Sequence, residues 1–135
     1  MDIRQVITDK ILAQVDKPGR YIGGEWNSVV KEKDQSQCQI AFCFPDVYEV
    51  GMSHLGLQIL YGLINETTPY AMERVFMPWP DMYQKMEENK IPLYSLESFR
   101  PLTEFPLIGF TLQYEMSYTN ILAMLKLAGI PLRSK

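Results

Sequence analysis

Two short polar stretches carry the residues best able to do chemistry. Pro45–His54 holds Asp46, Tyr48, Glu49, Gly51, Ser53 and His54, and Gln113–Ser117 holds Gln113, Tyr114, Glu115 and Ser117. Carboxylates, phenols and hydroxyls of this kind fix a ligand by hydrogen bonds when two chain segments bring them to one crevice. They do not spell a triad. Ser53 and His54 are neighbours, and adjacent residues on a helix diverge by about 100°, so they form no nucleophile–base pair by themselves. His54 is the single histidine of the chain, and at a helix start its simplest reading is a structural hydrogen-bonder. The glycines of GMSHLG, Gly51 and Gly56, lack the dinucleotide-binding spacing, and no phosphate-loop lysine is present. The plain alternative is that Asp46 and Ser53 cap turns and Glu49 is solvated. Residue types alone therefore give a ligand-binding module with no assignable reaction.

The elements that must position these loops are legible in the hydrophobic pattern. Ile40–Phe44 is a short apolar run of the kind buried on both faces of a sheet, and Pro45 ends it. A mostly apolar helix follows, from about His54 to Asn65. Tyr70–Met77 reads as a second strand, Pro80 to about Asn89 as a short helix, and Ile91–Leu96 as a third run. Pro106–Leu112 is the fourth, and a helix capped by Ser117 runs through Ala128 to a stop at Gly129. Ile130-Pro131-Leu132 resembles the opening of a fifth strand, as in a chain cut inside a larger architecture. Alternating strands and helices predict an α/β fold: a Rossmann-like or flavodoxin-like, mostly parallel sheet of four to five strands. Both polar loops then lie at the carboxyl edge, where open α/β sheets bind ligands.

Upstream, Asp2 and the spacing of Ile3, Val6, Ile7, Ile11 and Val15 predict a capped amphipathic helix ending at Lys17-Pro18-Gly19. The following stretch about Gly23-Gly24 predicts a hairpin or an arm, with Trp26 as a packing anchor. Residues 1–37 thus read as helix and extended arm, and 38–135 as the α/β domain.

A chain of 135 residues fits one domain. A net charge of −3 argues against a nucleic-acid binder, and no run reaches the roughly 18 apolar residues of a membrane span. The cytoplasm is the expected setting. Cys38 and Cys43 sit about 16 Å apart along an extended strand and on opposite faces, too far for a disulfide. Both read as small buried hydrophobes, and no CxxC or CxxxCxxC offers a zinc or iron–sulfur site.

Five blocks carry a resemblance: PGRYIGGEWNSV, FPDVYEVGMSHLGLQILY, ERVFMPWPDM, PLYSLESFRPL and IGFTLQYEMSYTNIL. They are similar to the N-terminal region of a group of radical S-adenosylmethionine (SAM) proteins, in which a cobalamin-binding-like domain precedes the radical barrel. The resemblance spans Pro18 to Pro131. It implies that 38–135 is cobalamin-binding-like, that its partner is the radical barrel of the same protein, and that the 4Fe-4S cluster and SAM belong to that barrel. Cobalamin itself is implied without histidine ligation, because Met52 precedes His54 where such domains carry aspartate, and Gly56 falls one place early. Thr111-Leu112-Gln113 stands where those domains carry S-x-L. The resemblance thus places the loops 45–54 and 111–117, with Thr111 among them, against the corrin. The alternative it leaves is a non-catalytic docking domain that has lost the cofactor.

Overall fold

The structure is a computed structural model describing residues 2–134, with the exception of Lys33 and Gln35. Asp2 starts the first helical segment, its Oδ1 accepting the Gln5 N–H at 3.3 Å. Helix α1 (Ile3–Val6) runs on through a π-helical turn, Ile7–Ile11, and a 3-10 turn, Leu12–Gln14. Ile3, Ile7, Ile11 and Val15 are buried and Val6 half-buried, as the spacing predicts. Strand β1 (Gln39–Phe44) is followed by α2 (Tyr48–Met52), α3 (Leu55–Thr67), β2 (Ala71–Phe76), α4 (Pro80–Glu88), β3 (Leu107–Phe110) and α5 (Ser117–Ala128). The fold is α/β and Rossmann-like. Its sheet is parallel throughout, in the order β2-β1-β3.

Alternation along β1 and β2 sends successive side chains to opposite faces. Ala41, Cys43 and Val75 pack with Met82 and Met86 of α4, Met124 and Leu127 of α5, and the N-terminal isoleucines. Phe44 and Phe76 pack on the other side with Leu57 of α3 and Leu96. Helix α3 begins at His54, whose Nδ1 accepts the Leu57 N–H at 3.1 Å. Helix α5 ends in a hydrogen-bond pair that runs from Ile130 N–H to Leu125 O and from Gly129 N–H to Lys126 O.

Two adjacent charges lie in the middle of β2. Arg74 is fully buried against α3, with its guanidinium 4.2 Å from the Tyr61 ring. Its Nε donates to Glu97 at 2.7 Å, and Nη2 donates to Glu25 at 3.3 Å and Ser28 at 3.1 Å. Burial alone would lower the Arg74 guanidinium; the Glu97 carboxylate, with Tyr61 and Glu25, reverses this and holds it above its ordinary value. Glu73, pointing the other way, accepts the hydroxyls of Ser95 and Ser98. The outward backbone groups of Met72 and Arg74 in β2 are also satisfied. Asn65 pairs with both the N–H and the C=O of Met72, and Glu97 and the Leu96 N–H do the same for Arg74.

Glu25 ties the arm to this centre, accepting from the Tyr48 hydroxyl at 2.8 Å and from Ser28 at 2.8 Å. Burial would raise its carboxyl, but Tyr48, its own N–H, Ser28 and Arg74 outweigh burial and hold it below its ordinary value of 4.5. Its contribution is therefore present above that value and is lost as the pH falls through the lowered one. Amides near Val29, whose N–H donates to the Tyr61 hydroxyl at 2.7 Å, are expected to lose protection as the pH falls below 4.5, the ordinary value of the Glu25 carboxyl. Hydrogen exchange corrected for intrinsic rates reads this; unchanged protection would remove the Glu25 clamp from the account.

Several expectations are corrected. Three strands, not four or five, form the sheet among the described residues. Ile91–Leu96 buries Ile91, Leu93 and Leu96 without joining it, making a single antiparallel bridge from Tyr94 to Pro101. Pro92 lacks a ladder donor, and the segment from Ser95 wraps the flank of β2 instead. Ile130–Leu132 forms no strand. Among the described residues the arm around Gly23-Gly24 forms no hairpin, and Trp26 is fully exposed at 106% rather than a packing anchor. Ser117 is buried in the first turn of α5, with Met116 at the boundary and no side-chain cap. Cys38 lies just before β1 and is half-buried; Cys43 is buried, and burial pushes its thiol up. No described helix is long and apolar enough to cross a membrane.

Candidate ligand site at the carboxyl rim

The chain leaves β1 toward β2 on one side and returns as β3 on the other, so the loops after β1 and β3 flank a topological switch point. They meet there. The Tyr114 hydroxyl donates to Asp46 Oδ2 at 3.4 Å, and Asn120 Nδ2 of α5 donates to Pro45 O at 2.8 Å. The Met77 N–H donates to Asp46 O at 2.9 Å, joining the loop after β2 to the same rim.

Beside this junction a cleft of about 470 Å³ opens between α4 and α5. Val47, Met77, Pro78, Pro80 and Ala123 give it apolar walls, and the Trp79 and Tyr83 rings line it. Its remaining polar groups are Asp46, Gln84, Glu87 and Asn120. Trp79 stays half-exposed because Pro80 starts α4 immediately after it and Arg20 rests over its ring at 5.2 Å. Tyr83 faces α5, donating to Ala123 O at 3.3 Å. Burial, and next the Glu87 carboxylate, push its phenol up. The volume is within the range of small-molecule sites, and apolar walls with a few polar groups are their usual make-up.

The residues singled out in the sequence divide between this rim and other duties. Asp46 lines the cleft; its Oδ1 accepts the Val47 N–H at 2.7 Å. Gln113, Tyr114 and Glu115 form a shallow depression next to it with Tyr118, and Thr111 Oγ1 donates to Gln113 at 2.9 Å. Tyr48 turns to Glu25, and burial, followed by that carboxylate, pushes its phenol up to about 12. Glu49 pairs with Arg20 at 2.8 Å, which holds its carboxyl below the ordinary value. Gly51 packs against the Phe76 ring, where a side chain would collide. Ser53 donates to Glu49 O at 2.7 Å, and His54 caps α3.

Trp79, Tyr83, Glu87 and Asn120 escaped the sequence reading because nothing local shows that α4 and α5 face each other across a gap. The signal available was Trp79 held between Pro78 and Pro80, an aromatic lying outside every predicted strand and helix. Among the described residues no group of three or more His, Cys, Asp or Glu is placed to hold a metal. With one cysteine buried and only two in the chain, these residues do not fit an iron–sulfur cluster.

No match to the chain was found among curated proteins or among solved structures. The family described as radical SAM proteins, N-terminal, matches residues 56–135. That segment contains β2, α4, β3 and α5, and with them every residue lining the cleft except Asp46 and Val47. The chain belongs to the family of radical SAM protein N-terminal regions.

Proposed function

We propose that this is a non-catalytic accessory domain of a radical SAM protein that holds a ligand or substrate group at its carboxyl rim. The 4Fe-4S cluster and SAM are then bound by a barrel domain of the same protein, which is the partner this domain serves. The observation carrying this reading is that the segment matching the family is also the segment that builds the α4–α5 cleft. Two free cysteines accord with a cytoplasmic setting.

Anaerobic reconstitution with iron and sulfide tests the division of labour. The isolated 135-residue chain is expected to bind no cluster and to cleave no SAM under dithionite, whereas the longer protein does both. Stoichiometric iron and cluster absorbance in the isolated chain would overturn it.

Cobalamin at the same rim is the second reading, favoured by the meeting of loops 45–54 and 111–117 at Asp46 and Tyr114. The chain does not fit a histidine-ligated corrin: His54 Nδ1 accepts the Leu57 N–H, so the ring proton of the neutral imidazole falls on Nε2, the nitrogen left to ligate. Corrin absorbance surviving desalting after incubation with hydroxocobalamin would support a histidine-free mode. A colourless protein removes it.

A further inference from the structure

We infer that the α4–α5 cleft is a site for an organic cation, an ammonium or guanidinium group carried on an apolar stem. The inference deepens the accessory-domain reading and rests on the rim being its ligand side.

The donor and acceptor inventory of the cleft gives the class. Its backbone donors are already used: the Val47 N–H by Asp46, the Met77 N–H by Asp46 O, and the Trp79 N–H by the Tyr21 hydroxyl. Pro78 and Pro80 have none. The Tyr83 hydroxyl gives its proton to Ala123 O, and Asn120 and Gln84 each direct an amide N–H away, to Pro45 O and to Glu88. Against the Trp79 indole N–H and the second amide N–H of Asn120 and of Gln84, the oxygens of Asp46, Glu87, Asn120, Gln84 and Tyr83 are in excess.

Charge points the same way. Asp46 and Glu87 are carboxylates, and no Lys, Arg or His lines the cleft. Arg20, which lies over Trp79, is turned to Glu49 at 2.8 Å and does not neutralise them. Its position shows that the Trp79 face already accepts a guanidinium, as aromatic quadrupoles do. An anion would meet two carboxylates and few donors. A neutral apolar molecule would leave both carboxylates partly desolvated without a partner, which is costly. A cation with an apolar stem satisfies the oxygens at the rim and covers Val47, Met77 and Ala123 beneath.

Such a group is found either on a free small molecule or on an arginine or lysine side chain of a protein. The test therefore uses butylguanidinium and a blocked arginine-containing peptide, with butylurea as the neutral isostere. Trp79 fluorescence in a Trp26→Phe background reports binding to the full chain, since Trp26 is fully exposed and its replacement touches no packing. Saturable binding of butylguanidinium is expected, weaker by about tenfold for butylurea, the factor expected for one charge-assisted hydrogen bond. It should weaken in added salt. Glu87→Gln, at an exposed position, should weaken it by about threefold or more, and Ala123→Phe, which adds no second tryptophan, should abolish it by filling the cleft.

Binding of the peptide but not butylguanidinium assigns the cation to a protein side chain; binding of both assigns a free small cation. Absence of saturation with either cation, equal binding of butylurea, or indifference to both variants overturns the inference. That failure removes the ligand class. Iron bound by the isolated chain would instead remove the accessory-domain reading.

Discussion

Arg74→Met is expected to destabilise the domain by about 3–5 kcal/mol, the range for a buried ion pair that loses one partner. Methionine fits the slot beside Tyr61 but leaves Glu97 fully buried with no cation beside it. It also frees Glu25 and Ser28, so the arm should loosen with the core. Urea denaturation measures the loss. Adding Glu97→Gln should recover part of it, because a neutral amide removes the unpaired buried charge and keeps an acceptor for the residue 74 N–H. A loss under about 1 kcal/mol for Arg74→Met alone would show that the pair is not desolvated as the structure has it.

Gly23→Ala is expected to cost about 2–4 kcal/mol, the sum of a left-handed backbone penalty and a steric one. Gly23 has φ +62°, and a Cβ there would strike the backbone carbonyl oxygen of Leu96. That carbonyl belongs to the residue whose N–H donates to Arg74 O, so it cannot retreat without opening the flank of β2. Gly24, at φ +82° with nothing near its absent Cβ, is the control. Gly24→Ala should show only the backbone part, about 1–2 kcal/mol. Equal effects at the two positions would mean the Leu96 contact is not a constraint.

Much of the fold was written in local signals. The α5 span Ser117–Ala128 and its Gly129 stop follow from apolar spacing and one glycine, and β1, β2 and β3 follow from short apolar runs closed by proline or polar loops. Ile91–Leu96 has the same local look but lies outside the sheet, since its fate depends on Glu73, Arg74 and the serines they hold. The clue was the Glu73-Arg74 pair inside an apolar run: adjacent strand residues face opposite ways, so both charges needed buried partners. The meeting of the loops after β1 and β3 was legible because parallel strands put their carboxyl ends on one rim. The cleft beside them was not, because it is a gap between two helices, and a gap has no sequence pattern.

The side-chain partners along β2 decide where this sheet can be extended. Asn65 and Glu97 occupy the backbone groups that a neighbouring strand would use, one through an amide and the other through a carboxylate. That flank is plugged, and edge-to-edge association is blocked there. Among the described residues nothing plugs the opposite border, β3, in this way, and Leu107 is shown to solvent. The berth left for an additional strand, among the described residues, lies alongside Leu107–Phe110.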